Sequence, residues 1–321
     1  MIVTAVIVTY GERFHFVEKV IFALKKESIN KIILVLNGVG DNSKRQIASL
    51  DKKEPLVHVL DLKENTGSAN GFSQGMLFSK KMDSNFIWLL DDDNEPQKNA
   101  LKTLKIYWEI LEKENSKNLM SLVSYRPDRK VYKDAIESQN PYLMIGDKNS
   151  FLGFNFKKFL KKKPLNRVEK NHGVIAVAPY GGSFFHSSLI ESIGIPNKDF
   201  FLYGDDFDFF YRITKAKGNI YLIAGSKIKD LEVSFNLNKK KGKLNTRFFL
   251  TDSKERLYYN IRNNIVFEKN FVDNKCVYLF NMISYFIFAF LLFLLKPSHF
   301  WKYKLLFKSW RDSKNFQINK E

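Results

Sequence analysis

Three consecutive carboxylates close an apolar run at Trp88-Leu89-Leu90-Asp91-Asp92-Asp93-Asn94. Like charges this close repel one another, and at a buried strand end such a cluster is costly unless a cation relieves it. A divalent ion does so, because oxygen ligands at the tip of a rigid strand suit a hard cation. Held there, the ion can bridge a diphosphate and neutralise charge that grows as the bond to it breaks. If the extended geometry continues, Asp91 and Asp93 point to one side and Asp92 to the other. The other reading is a solvated acidic turn capping a helix that begins near Pro96.

Two further constellations carry chemistry. In Asn65-Thr66-Gly67-Ser68-Ala69-Asn70-Gly71, small residues precede a helical pattern, so backbone amides there can approach phosphate oxygens. Asn65 and Gly67 are the donor-side candidates, although Asn70 can equally be an ordinary helix cap. In Phe200-Phe201-Leu202-Tyr203-Gly204-Asp205-Asp206-Phe207-Asp208, an acidic pair sits among aromatics where a loop turns into a helix. Apolar surroundings disfavour the charged carboxylate and make it a better proton acceptor for an alcohol, which marks Asp206 as the candidate base. Asp205 and Asp208 also suit a first helical turn, where the helix dipole stabilises acids. Gly181 and Gly182 open space for an acceptor or form a tight turn.

The elements that must position these residues follow from periodicity. Strand patterns run over Ile2 to Thr9, Lys31 to Leu36, Leu56 to Leu60, Phe86 to Leu90 and Leu119 to Val123. Helical patterns cover Phe16 to Lys26, Asn70 to Lys80 and Gln97 to Lys113. This alternation predicts an α/β fold with a mostly parallel, Rossmann-like sheet flanked by helices. Ligands then collect beyond the carboxyl ends of the strands. Tyr125 to Asn171, with its Lys161 to Lys163 run, yields no regular pattern. Beyond it come a strand at Val174 to Ala178, helices at Ser187 to Ile193 and Asp206 to Lys217, and a strand at Ile220 to Ile223.

The last quarter changes character. After a helix at Phe248 to Glu268, Val277 to Leu295 runs 19 residues without a charge. A spanning helix needs about 20 apolar residues. Aromatic and basic residues interleave in the following FWKYKLLFKSWRDSK, as in interfacial helices. Asn281 and Ser284 leave a helix lying in the interface as open as a span. Lys plus Arg exceed Asp plus Glu, 52 against 34, which suits phosphates or an anionic membrane. No zinc knuckle, helix-turn-helix or RNA-binding stripe accompanies the charge, so nucleic acid is not the expected partner. The single Cys276 excludes an intrachain disulfide and argues for a reducing compartment. MIVTAVIVTYGE lacks a basic leader and reads as a buried strand, not a signal peptide.

VIVTYGE, NTGSANGFSQG, WLLDDD, GDDFDFFYR and LYYNIRNNI together resemble, in order, the motifs of family 2 glycosyltransferases. The resemblance is strongest to the rhamnosyltransferase- and galactofuranosyltransferase-like branch. It implies a GT-A fold: a nucleotide-sugar-binding half over 1–124, an acceptor-binding half over 125–246, and a membrane-associated helical segment over 247–321. By that resemblance Thr9, Tyr10 and Glu12 hold the base or ribose, and Asp91 and Asp93 bind Mg²⁺ or Mn²⁺ through a DXD motif. Asp91 and Asp92 lie at the donor, Gly181, Gly182 and Asp205 at the acceptor, and Asp206 is the general base of an inverting single displacement. Two departures stand out. The second strand ends Leu36-Asn37-Gly38-Val39-Gly40-Asp41 instead of in an acid-Asn-Gly-Ser run, which hands the nucleotide contact to Asn37 or Asp41. None of the five His residues lies between Asp206 and the Arg-Asn helix, so Asp230 is the nearest substitute for a third, His metal ligand. His172 and His186 read as loop or core residues.

The expectation is sugar transfer from a nucleotide diphosphate to a lipid-linked or polysaccharide acceptor, on the cytoplasmic face of a membrane, in cell-surface glycan synthesis. A nucleotidyltransferase is the rival enzyme, but Tyr10-Gly11-Glu12-Arg13 is a poor version of its Gly-rich basic loop. A membrane-anchored protein that binds nucleotide sugar without catalysis is the other alternative.

Overall fold

The computed structural model of the chain describes residues 1–156, 170–232 and 251–316. These form two compact units, one built from 1–144, 170–201 and 205–232, the other from 145–156, 202–204 and 251–316. The Lys161 to Lys163 run and the first residues of the helix expected from Phe248 lie outside the described residues.

The first unit begins with β1 (Val3–Gly11), α1 (Phe14–Lys26), β2 (Lys31–Val39), α2 (Asp41–Lys53), β3 (Val57–Asp61), α3 (Gly67–Lys81) and β4 (Phe86–Asp91). It continues through β5 (Asn94–Pro96), α4 (Ala100–Leu111), β6 (Met120–Tyr125), α5 (Lys130–Ser138), β7 (His172–Ile175), β8 (Ser183–His186), α6 (Leu189–Ile193), α7 (Asp205–Lys215) and β9 (Asn219–Asp230). The strands form one sheet in the order β3-β2-β1-β4-β8-β6-β9-β5, with β7 also beside β9. Pairing is parallel from β3 through β4 and again between β6 and β9. β8 runs antiparallel to both β4 and β6, and β5 and β7 run antiparallel to β9. The carboxyl ends of β1 to β4 and of β6 therefore share one rim with the beginning of β8.

Side-chain alternation explains why the sheet is covered twice. Val3, Ala5 and Ile7 of β1, with Trp88 and Leu90 of β4, pack against Val17, Val20 and Leu24 of α1 and Leu104 and Trp108 of α4. Val6 and Val8, with Ile87 and Leu89, face Phe72 and Met76 of α3 and Phe209 and Phe210 of α7. Successive side chains of a strand point to opposite faces, so continuously apolar strands mark a sheet buried on both sides.

The second unit holds α8 (Lys254–Glu268), α9 (Lys275–Leu294) and α10 (Phe300–Lys314). Leu257, Ile261 and Ile265 recur every fourth residue on α8 and meet Tyr285, Ala289 and Phe293 of α9, Leu306 of α10 and Phe151. Caps fix two helix starts: Ser253 Oγ accepts from Arg256 N at 3.3 Å and Asn274 Oδ1 from Val277 N at 3.0 Å. α9 is long and apolar enough to cross a membrane, with a mean hydropathy of 2.2.

Candidate active site

The parity of β4 sets the direction of its acidic tip. Asp92 continues the Trp88–Leu90 series and so turns to the face covered by α1. There Arg13, which precedes that helix, meets it with two parallel bonds, Nε to Oδ2 at 2.8 Å and Nη2 to Oδ1 at 2.9 Å. Thr9, on the same face of β1, donates its hydroxyl to Asp92 Oδ2 at 2.7 Å. Asp92 is buried and its oxygens are taken up by these partners. The Asp92 carboxylate and the Thr9 hydroxyl expected at the donor are thus engaged with each other, and Asp92 serves as the anchor of the tip.

Asp91 and Asp93 belong to the opposite parity. Burial pushes the Asp91 carboxyl up to about 6 against the pull of Arg126, with Asp92 and Asp230 adding repulsion. Burial, then Asp91 and Asp92, push Asp93 up to about 7. Arg126 Nη2 lies 3.6 Å from Asp91 Oδ2 and Asn94 Nδ2 donates to Asp93 Oδ1 at 3.3 Å, looser partners than the two-bond pair that holds Asp92. Asn94 closes the turn, its Oδ1 accepting from Asp91 N at 3.1 Å and from Arg126 Nη2 at 2.8 Å.

Asp230, expected as a third metal ligand, has other partners. β5 pairs with β9 so that Asn94 lies opposite Asp230, and Asn94 Nδ2 donates to Asp230 Oδ1 at 3.1 Å. Arg126 Nε lies 3.0 Å from the same oxygen, and Arg129 Nη2 donates to Oδ2. With both oxygens beside guanidinium groups, the negative charge of Asp230 is already offset without a cation. Among the described residues no group of three or more His, Cys, Asp and Glu is arranged to hold a metal.

Protein contacts hold the small-residue loop. Thr66 N donates to Asn37 Oδ1 at 2.8 Å, Gly67 N to Asn65 Oδ1 at 3.0 Å, and Ala69 N to Phe201 O at 3.4 Å. The loop also ties α3 to the start of α7: Ser68 Oγ donates to Asp205 Oδ2 at 2.9 Å. Gly67 has φ +82°, and a Cβ there would stand 2.1 Å from Phe201 O, so no side chain fits. Asn37 is a buried clamp on this loop, with its Nδ2 donating to Gly67 O at 3.0 Å. Asp41 opens α2. Glu12 holds that helix start, accepting from Asn42 N at 3.3 Å and Ser43 N at 2.8 Å. Tyr10 is exposed, and Arg13 stacks on its ring at 5.2 Å.

The acceptor-side acids occupy the first turn of α7. Asp205 is buried, and Asp206 is partly buried with Oδ1 accepting from Phe207 N at 2.8 Å. Burial and the adjacent Asp205 drive the Asp206 carboxyl upward, and the charge of Asp91 pushes both acids the same way. The β4 tip and the start of α7 therefore share one electrostatic environment. Asp208 instead pairs with Arg212 at 2.5 Å. Gly181 lies against the tip: a Cβ there would sit 2.1 Å from Asn94 Oδ1, 2.3 Å from Arg126 Nη2 and 2.5 Å from Asp91 Oδ2. Gly182 carries backbone bonds, its N donating to Leu89 O at 2.7 Å and its O accepting from Ser124 N at 2.9 Å.

Arg13, Arg126, Arg129 and Ser68 complete the site and were not singled out in the sequence. A signal existed, since Arg126 directly follows β6 and Arg13 closely follows β1, at strand ends where ligands gather. His172 meets Tyr107 and Tyr221 edge to face, and His186 bonds Ser188.

A twisted α/β sheet with paired acids at a strand tip, facing a second acidic pair on a helix, defines a GT-A scaffold. Glycosyl transferase family 2 matches residues 4–180, more than half of the chain, and the chain belongs to that family. It is 20% identical over 223 residues to galactofuranosyltransferase GlfT1 of Mycolicibacterium smegmatis, covering 67% of this chain and 66% of that one. To GlfT1 of Mycobacterium tuberculosis it is 22% identical over 58% of this chain and 55% of the relative. The chain thus spans roughly half to two thirds of these relatives. A solved structure of GalNAc-T7 with UDP, GalNAc and Mn²⁺ superposes with a TM-score of 0.54 at 13% identity, over 82% of this chain and 47% of that one. S. aureus TarS 1-349 superposes with a TM-score of 0.50 at 12% identity, over 86% of this chain and 67% of that one.

Proposed function

We propose that the chain transfers a sugar from a nucleotide diphosphate to a lipid-linked or polysaccharide acceptor in cell-surface glycan synthesis, with inversion at the anomeric carbon. The site lies in the first unit, where residues 1–124 supply the donor side and residues 125–232 the acceptor side. The carrying observation is the pair Asp91 and Asp93, raised to about 6 and 7, in electrostatic reach of Asp206. Two carboxylates raised in this way suit Mg²⁺ or Mn²⁺, which take one or two carboxylates and complete their shell with substrate phosphates and water. When bound, such an ion neutralises charge on the departing diphosphate. Asp230 is left out of the ligand set because Arg126 and Arg129 hold it.

The chain's own groups do the rest. Arg13 and Thr9 fix Asp92, and thereby aim Asp91 and Asp93 away from it. Asp206 accepts the acceptor hydroxyl proton as that oxygen bonds to the anomeric carbon and the bond to the diphosphate oxygen breaks. Its raised proton affinity fits this step. Tyr10 and Glu12 stand near the nucleotide through their position at the carboxyl end of β1, Glu12 acting by holding α2. The cytoplasmic face of a membrane is where a lipid-linked acceptor meets a soluble donor, and α9 supplies the apolar surface for it.

A thermal-shift screen of UDP-, dTDP- and GDP-sugars with and without Mn²⁺ tests the donor, with UDP-galactofuranose first in the panel given the galactofuranosyltransferase relatives. Stabilisation by one nucleotide sugar, dependent on metal, is expected. Radiolabelled transfer to lipid-linked acceptors then tests catalysis. Asp206→Asn should abolish turnover and retain nucleotide binding; unchanged turnover overturns the assignment. Nucleotide binding without any transfer would favour a binding protein, and release of pyrophosphate a nucleotidyltransferase.

A further inference from the structure

We infer that α9 and α10 seat the second unit in a single anionic leaflet, with α9 lying in the membrane plane and not crossing it. The inference rests on the reading that the acceptor is met at a membrane, and it specifies how that surface is engaged. α9 has two unlike faces. Asn281, Tyr285, Ala289 and Phe293 recur every fourth residue and are buried. Around the rest of the helix, Phe280, Ile283, Ile287, Leu291, Leu294 and Leu295 are between 49% and 82% exposed. This surface continues onto α10 through an open groove of about 490 Å³, where Ile283, Phe286 and Phe290 face Tyr303 and Phe307. A contiguous apolar surface of this kind is rare on a protein that stays in water.

Charge identifies what covers it. Lys304, Lys308 and Arg311 are exposed and directly follow Tyr303, Phe307 and Trp310, so a basic stripe runs about 100° round the helix from the aromatic one. Lys275 and Lys296, both exposed, bracket α9. Three of the acids of this unit are engaged: Asp252 with Lys302, Asp273 with Lys148 and Asn149, and Asp312 with Tyr258. An apolar strip edged with cations matches acyl chains beneath anionic headgroups. A second copy of the chain fits less well, because a shared apolar face would bring two basic edges together.

The buried side of α9 excludes a crossing helix. Asn281 Nδ2 donates to Asn149 O at 2.8 Å and Asn281 Oδ1 accepts from Phe156 N at 3.0 Å, so irregular backbone packs on this face. Tyr278 donates to Glu268 at 2.8 Å, and Glu268 also accepts from Leu152 N at 2.8 Å. α10 alongside carries a buried Lys302 paired with Asp252 at 3.0 Å. A spanning α9 would draw these polar and charged groups into hydrocarbon, where irregular backbone and ionised side chains are disfavoured. Lying flat, only its apolar face is immersed.

The test uses the full chain and sealed vesicles without any sugar donor. Flotation with phosphatidylcholine vesicles containing about 30% phosphatidylglycerol should exceed that with phosphatidylcholine alone by at least tenfold, and should weaken with salt. Cys276, the sole cysteine, sits exposed at the start of α9. An impermeant maleimide added outside should label Cys276 and, separately, a Cys276→Ser/Lys296→Cys variant, each to completion. Protection of either end by the sealed bilayer would mean a crossing and overturn the inference. Ile287→Glu/Leu291→Glu should abolish flotation with melting temperature and nucleotide binding unchanged. Absence of flotation in the native chain, with or without self-association, would overturn it as well. Flotation and sugar transfer are read separately, so failure of the membrane seat is distinguishable from failure of the transferase reading.

Discussion

Replacing Arg13 by Met keeps most of the side-chain stem and removes only the guanidinium, which isolates the anchor of the acidic tip. Arg13 and Asp92 are 14% and 4% exposed at their side chains, and two bonds of 2.8 and 2.9 Å join them. Removing one partner of a buried pair leaves an uncompensated charge and costs about 3–5 kcal/mol. The bond from Arg13 to Glu232 adds little to that figure: Glu232 is 53% exposed, and such pairs contribute about 0–1 kcal/mol. For a folded unit of roughly 200 residues, each kcal/mol moves Tm by about 2–4 °C, so Arg13→Met should melt roughly 6–20 °C below the native chain. Asp92→Asn placed on top removes the stranded charge and should recover most of the loss, giving a large favourable coupling in a double-mutant cycle. Differential scanning calorimetry in EDTA reads all four proteins without interference from metal. A fall of under about 2 °C for Arg13→Met, or a double variant no more stable than the single one, would refute the view that Asp92 is held by this pair.

Further outcomes follow from the same geometry. Gly181→Ala places a methyl 2.1 to 2.5 Å from Asn94, Arg126 and Asp91, which forces the tip to move; turnover should drop about a hundredfold, as a 1 Å misplacement does, with thermal stability lowered by only about 1–3 kcal/mol. Because burial and Asp205 raise the Asp206 carboxyl, the acid limb of kcat should lie above the ordinary carboxylate range, and Asp205→Asn should move it to lower pH; a limb that stays put would remove Asp206 from the profile. Asp91 and Asp93 hold protons up to about pH 6 and 7, where the unfolded chain has already released them. Charging them in the folded state therefore erodes stability as pH rises from near 4 to near 7, and Asp91→Asn/Asp93→Asn should flatten the Tm–pH curve of the metal-free protein across that window.

The parallel part of the sheet was legible because β1, β2 and β4 are continuous apolar runs, the pattern of strands buried on both faces. α2 was missed because only Ser43 and Ile47 of its thirteen residues are buried, which leaves no apolar period to detect. β8 carries no strand signal in the sequence, since its four residues follow two glycines and its place is fixed by pairing with distant β4 and β6. β9 joins Ile220 to Ile223 and the strand-like stretch Ser226 to Lys229 into one strand ending at Asp230, because β5, β6 and β7 all bond to it. At the site, alternation correctly separated Asp92 from Asp91 and Asp93. What alternation cannot reveal is which cation answers which acid: Arg126 and Arg129 claim Asp230 across about a hundred residues, a pairing set by strand order and not by spacing.

The reversal of β8 has a consequence for how such a site diversifies. Because that strand runs against its neighbours, it delivers its first residues to the rim where β4 delivers its last. Gly181 and Asp91 thus come from segments that approach the same edge from opposite directions. The excursion between β6 and β8 is tied to the sheet at both ends, by Arg126 and Arg129 on Asp230 and by β7 pairing with β9, so variation that leaves the carboxylates in register has to fall outside these ties.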